Sequence, residues 1–100
     1  MDIEIRNNDG HTQVSLRGRF VFDCHRDFRG VMNRSLKEAG DQVHLDLGGV
    51  DYLDSAALGM LHVLNDKART AGKKIMLCNS QGAVKELLSL ARIDQLFATA

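Results

Sequence analysis

The segment VHLDLGGVDYLDSAALGMLHVL, residues 43–64, sets two periodicities back to back. Val43, Leu45 and Leu47 alternate with polar residues, the period-two pattern of a strand with one buried face, and Gly48-Gly49 is read as its end. From Ser55 the period changes. Ala57, Leu61, Leu64 and Ala68 recur at three- and four-residue steps and form one apolar stripe on a helix over 55–71, closed by Gly72. Asp54-Ser55 stands where the loop becomes the helix. A strand, a short loop and a helix are the first half of a unit that returns to a parallel neighbouring strand by a right-handed crossover.

The flanks complete that unit. Upstream, Ile3 and Ile5 alternate with polar neighbours, as do Val14 and Leu16, with the turn-forming NNDG at 7–10 between them. An opening antiparallel hairpin over about 2–6 and 12–18 follows. Phe28, Val31, Met32 and Leu36, joined by Cys24, have helical spacing and predict a helix near 24–39, with Gly40 as its stop. Downstream, IMLC at 75–78 reads as a short buried strand. Asn79 or Ser80 is expected to cap a last helix carrying Val84, Leu87, Leu88 and Ala91. The tail 92–100 offers Ile93, Leu96 and Phe97 for packing. The order ββαβαβα plus a tail predicts an α/β fold: a mixed β-sheet with an opening antiparallel hairpin, helices packed on it, and one domain over 1–100.

Composition narrows the function. Thirteen basic and thirteen acidic residues give a formal net charge of zero, which argues against a dedicated nucleic-acid binder. Arg17, Arg19, Arg26, Arg29, Arg34 and Lys37 outnumber Asp23 and Asp27 within 17–37, a solvated face or a local anion site. Cys24 and Cys78 lie far apart without a CxxC pair and read as reduced thiols of a cytoplasmic protein. MDIEIRN has no signal-peptide core, and no apolar run reaches the ~20 residues that span a bilayer. A soluble monomer without membrane association is expected. His11, His25, His44, His62 and the two cysteines lack metal-ligand spacing.

The chemistry concentrates at Asp54-Ser55. Either side chain suits a helix N-cap, because its oxygen accepts an otherwise orphaned first-turn N–H. Capping alone does not account for the face beyond it. Ser55, Leu58, Gly59 and His62 stand at i, i+3, i+4 and i+7 and share one side of the helix, away from the core stripe. Glycine in a helix interior costs about 1 kcal/mol relative to alanine, so Gly59 needs an offset: close approach of another backbone, or packing on the sheet or a neighbouring helix.

YLDSAALGML (52–61) resembles the signature of the STAS domain family, particularly the bacterial anti-sigma factor antagonists. Their pattern is an apolar residue, Asp, Ser, a small pair, Leu and Gly at a helix start. GRFVFDCHRDF (18–28), VHLDLGGVDYLDS (43–55) and AGKKIMLCNSQGAVKELLSLARIDQLF (71–97) extend the likeness over nearly the whole chain. The resemblance implies a regulatory protein without a cofactor, not an enzyme. Its Ser55 would be phosphorylated by an anti-sigma factor with serine kinase activity and reset by a metal-dependent serine phosphatase. It implies a partner-binding surface of Asp54, Ser55, Leu58, Gly59 and His62, with Phe20, Asp23 and His25 beside it. Two departures stand out. Ala56 and Ala57 replace the second Ser and the Gly common in the family, and Val21 stands where an acidic residue is frequent, with Asp23 two positions on.

Two rivals are weaker. A serine hydrolase would need a base near Ser55, but GxSxG is absent and His62 lies about 10 Å along the axis. An accessory subunit of a lipid-handling ABC transporter would dock the same helix on an ATPase without phosphorylation; relatives of that kind often carry Thr in the motif. No Gly-rich phosphate loop followed by Lys suggests nucleotide binding.

Overall fold

The strand read as ending at Gly48-Gly49 continues through both glycines to Leu53. This emerges from a computed structural model that describes every residue except 9, 39 and 100. Asp9 of the expected turn, Ala39 at the end of the expected first helix and the final residue of the tail therefore lie outside the described residues. Strands β1 (Asp2–Asn8) and β2 (His11–Phe20) form the antiparallel hairpin. A short 3-10 turn, Phe22–Cys24, leads into helix α1 (His25–Lys37), followed by β3 (Gln42–Leu53) and helix α2 (Ser55–Thr70). Strand β4 (Lys74–Cys78), helix α3 (Gly82–Leu90), a 3-10 turn at Ile93–Gln95 and a two-residue strand β5 (Ala98–Thr99) complete the chain. The sheet order is β1-β2-β3-β4-β5, with β2, β3, β4 and β5 mutually parallel. The α/β architecture with an opening hairpin is as expected; β5 is an addition.

One face of the sheet carries the core. Val14, Leu16 and Phe20 of β2, Val43, Leu45 and Leu47 of β3, and Ile75 and Leu77 of β4 are buried in a single cluster. Phe28 and Met32 of α1, the stripe Ala57–Leu61–Leu64–Ala68 of α2, and Val84 and Leu88 of α3 join it. Ile93 and Phe97 of the tail are buried as expected, whereas Leu96, Leu87 and Ala91 are exposed. Two buried hydroxyls are satisfied locally: Ser35 Oγ donates to the Val31 carbonyl at 2.9 Å, and Thr12 Oγ1 to Asn7 Oδ1 at 3.3 Å.

Two irregularities explain the misread boundary. Ser15 pairs with Asp46 but Arg17 with Gly49, and Gly18 pairs with Val50 but Arg19 with Tyr52. Each shift inserts one extra residue into β3, as a β-bulge does. The buried positions accordingly step from Leu47 to Val50 to Leu53 in threes rather than twos. Gly49 serves close approach here: a Cβ would lie 2.6 Å from Arg17 Cγ and 3.0 Å from the Leu16 carbonyl oxygen. Helix α3 is also capped differently from expectation. Its N-cap is Gln81, which makes no side-chain capping bond; Asn79 instead takes a left-handed backbone (φ 59°), and the Gln81 amide reaches the Gly48 carbonyl at 3.3 Å.

Candidate functional site

The bulged β3 ends level with β2, since Leu53 pairs with Phe20 and the Asp54 N–H reaches the Phe20 carbonyl at 3.4 Å. Asp54 is extended and is the N-cap of α2. Each oxygen of its carboxylate accepts a backbone donor. Oδ1 accepts the Ala57 N–H at 2.8 Å, and Oδ2 accepts the Phe22 N–H at 3.0 Å. One side chain thus starts α2 and ties it to the connection between β2 and α1.

That assignment leaves Ser55 without the capping task. It is the first residue of α2, exposed, and its hydroxyl bonds to none of the described residues. One turn on, Leu58 is half-buried against the core, while Gly59 and His62 are exposed. No close backbone approach explains Gly59: a Cβ there would meet nothing within 4 Å. Among the described residues, no close packing offsets its cost to the helix.

The neighbouring connection supplies the second wall. His25 Nδ1–H donates to the Phe22 carbonyl at 2.9 Å, and the two rings stack with centroids 4.7 Å apart. Asp23 is exposed beside them. Asp54, Ser55, Leu58, Gly59, His62, Asp23 and His25 therefore belong to two adjoining segments joined by the Asp54–Phe22 bond. Phe20 is corrected: it is fully buried, its ring 4.8 Å from that of Phe28, so it supports the surface from below and cannot touch a partner. Its phase shows this, because Phe20 follows Val14 and Leu16 on the inward side of β2. The exposed aromatic of this stretch is Phe22, 59% accessible. Tyr52, with the Arg19 guanidinium 4.6 Å from its ring centroid, is a second exposed aromatic near Asp54 in sequence.

The cationic run in 17–37 divides between β2 and exposed positions of α1. Cys24 is buried, with Sγ 3.4 Å from the Arg19 carbonyl, and Cys78 is half-buried; neither forms a disulfide. Burial, reinforced by the nearby Asp46 charge, raises the Cys78 thiol above its ordinary value. Among the described residues, no three His, Cys, Asp or Glu side chains gather as a metal site, and no helix is long and apolar enough to cross a membrane.

Comparison with known proteins gives this arrangement a family. A family profile described as "Mlab, STAS domain" matches residues 3–98. The chain belongs to the STAS domain family. A STAS-domain containing protein of Pseudomonas aeruginosa (strain UCBPP-PA14) is 38% identical to this STAS domain over 84 residues, covering 84% of this chain and 82% of that protein. Among solved structures, an anti-sigma factor antagonist from Mycobacterium paratuberculosis superposes with a TM-score of 0.86 at 17% identity, covering 98% of this chain and 83% of the other. The Bacillus anti-sigma factor antagonist SpoIIAA is similar in its unphosphorylated and phosphorylated forms. Their TM-scores are 0.74 and 0.73, at 10% identity, over 99% of this chain and 87% and 91% of theirs. At such identities the likeness to the solved structures is one of fold.

Proposed function

We propose that this STAS domain is a partner-switching regulator, an anti-sigma factor antagonist in which phosphorylation of Ser55 controls binding. The observation that carries this reading is the division of labour at the start of α2. Asp54 occupies both carboxylate oxygens with the Ala57 and Phe22 amides. Ser55 stands exposed beside it with a free hydroxyl, available to a kinase without dismantling the cap.

A phosphate on Ser55 would bring about −1.5 to −2 charges to a helix N-terminus, where the backbone dipole favours an anion. The domain would tolerate it. A partner packed over Ser55, Leu58, Gly59 and His62, with Asp23, His25 and the exposed Phe22 at its edge, would not, because burying an unpaired dianion costs several kcal/mol. About 1.4 kcal/mol is already tenfold in affinity. The open space over Gly59 suits such a surface, as any side chain there would stand between the helix and its partner. The partners in this reading are an anti-sigma factor with serine kinase activity and a metal-dependent serine phosphatase; the protein acts in the cytoplasm and has no catalytic role. The existence of SpoIIAA in both unphosphorylated and phosphorylated forms is consistent with a switch on this fold.

The test is a capture experiment with wild type, Ser55→Asp and Ser55→Ala as baits, with ATP added to the eluates. Wild type and Ser55→Ala should retain a small ATP-binding kinase that phosphorylates wild type alone, on Ser55, and Ser55→Asp should lose it by at least tenfold. Undiminished affinity of Ser55→Asp for that kinase would end the proposal. Equal capture of a transporter ATPase by all three baits would establish the docking role without a switch.

A further inference from the structure

Between α1 and α2 lies a groove of about 400 Å³ that shares Phe22, His25 and Gly59 with the Ser55 surface and extends beyond it to Arg29, Met32, Val63 and Lys67. Its floor is the buried set Phe28, Met32 and Leu64. Phe22, Met60 and Val63 form its rim, with Phe22 59% and Val63 52% exposed. The ionisable groups lining it are His25, Arg29 and Lys67, and no carboxylate is among them. In a chain with equal numbers of acidic and basic residues, a lining with Arg29 and Lys67 and no carboxylate is not inherited from composition. Lys67 Nζ is 3.4 Å from Asn33 Oδ1, and Asn33 is one helical turn beyond Arg29 on α1, so both cations belong to the same stretch of the groove.

We infer that this groove binds a medium-chain fatty acid, its carboxylate on Arg29 and Lys67 and its acyl chain lying between Phe22, Met60 and Val63. The volume falls in the range of about 300–1,000 Å³ typical of small-ligand sites, which are mostly apolar with a few placed polar groups. Charge selects an anion, and the apolar walls select a tail rather than a bare carboxylate. The groove adjoins Ala56 and Gly59. The inference does not depend on phosphorylation of Ser55.

The four methionines make the test direct, because Met32 and Met60 line the groove while Met1 and Met76 do not. The intact protein with methyl-labelled methionine is titrated with decanoate below its micellar concentration and followed by NMR. Met32 and Met60 should shift saturably while Met1 and Met76 stay still. Octanoate should bind about tenfold more weakly, because two buried methylenes are lost. Decanol, which keeps the tail and drops the charge, should also bind about tenfold more weakly, as should decanoate to Arg29→Glu/Lys67→Glu. Val63→Glu, at a position 52% exposed, should abolish saturation. Lys85→Glu on α3 should change nothing. No saturable shift, equal shifts at all four methionines, or equal affinity for decanoate and decanol would overturn the inference. The first of these would return the groove to a protein partner.

Discussion

Replacing Asp54 separates the two jobs its carboxylate performs. Asp54→Ala removes the 2.8 Å bond from the Ala57 N–H and the 3.0 Å bond from the Phe22 N–H together. Losing an N-cap costs about 1 kcal/mol, and a hydrogen bond to a partly exposed amide adds about 0.5–1.5 kcal/mol; the sum is about 2 kcal/mol. Asp54→Asn keeps a carbonyl oxygen for the Ala57 N–H but turns an NH₂ donor toward the Phe22 N–H, so it should cost about half as much. For a domain of this size 1 kcal/mol is about 4–8 °C in Tm. Scanning calorimetry should therefore find falls of about 10 °C for Asp54→Ala and about 5 °C for Asp54→Asn. Amide exchange at Phe22 should accelerate in both variants, while exchange at Ala57 should accelerate only in Asp54→Ala. If Asp54→Asn matched the wild type, the link to Phe22 would contribute nothing. If it matched Asp54→Ala, the cap would contribute nothing. Either result would refute the idea that one carboxylate holds both segments.

Three further outcomes are expected. Phe20→Ala should cost about 3–5 kcal/mol in urea denaturation, as a buried aromatic deletion does, whereas Phe22→Ala should stay within about 0.5 kcal/mol and weaken partner binding instead. Gly59→Ala should stabilise by about 1 kcal/mol, since a Cβ there meets nothing within 4 Å; Gly59→Arg should fold normally and weaken partner binding. His44 lies on the sheet face away from the helices, its ring stacked on that of His11 with centroids 4.0 Å apart. Burial, and then the His11 charge, depress the His44 pKa, so the unfolded chain binds the proton more readily. The corresponding stability is present above the ordinary imidazole value of about 6.5 and is lost as pH falls through the lower folded value. His44→Gln should flatten that part of the stability–pH curve.

Much of this molecule was legible because its burial is periodic. The stripe Ala57–Leu61–Leu64–Ala68 and the alternation Val43–Leu45–Leu47 are both buried as read. The misreadings share a cause: a local pattern served a tertiary purpose. Gly48-Gly49 looks like a stop because glycine usually marks a turn, yet at Gly49 the neighbouring Arg17 side chain and Leu16 backbone leave no room for a Cβ. Phe20 and Phe22 look equivalent in FVF until the inward phase of β2 is carried to its end. Beta-strand β5, only two residues long, has too little sequence to show a period. Spacing put Ser55, Leu58, Gly59 and His62 on one face, but no spacing could show that the Asp54 carboxylate reaches across 32 positions to the Phe22 amide.

That long-range bond depends on the bulges. From Ser15 to Phe20 strand β2 advances five residues, while its partner β3 advances seven, from Asp46 to Leu53. The two additional residues shift the buried phase from Leu47 to Val50 and then to Leu53. They deliver Leu53 inward beside Phe20 and leave Asp54 at the point where it can face the Phe22 amide. Deleting one residue from Val50-Asp51 would turn the following strand residues to the opposite face, because side chains alternate along a strand. Leu53 would then compete with exposure and Asp54 would leave its two donors. The deletion should therefore damage the core and the α2 cap at once, and restoring a residue at the bulge should recover both. The glycine pair and its irregular strand thus connect the packing of the sheet to the exposed start of α2, where the free Ser55 hydroxyl stands.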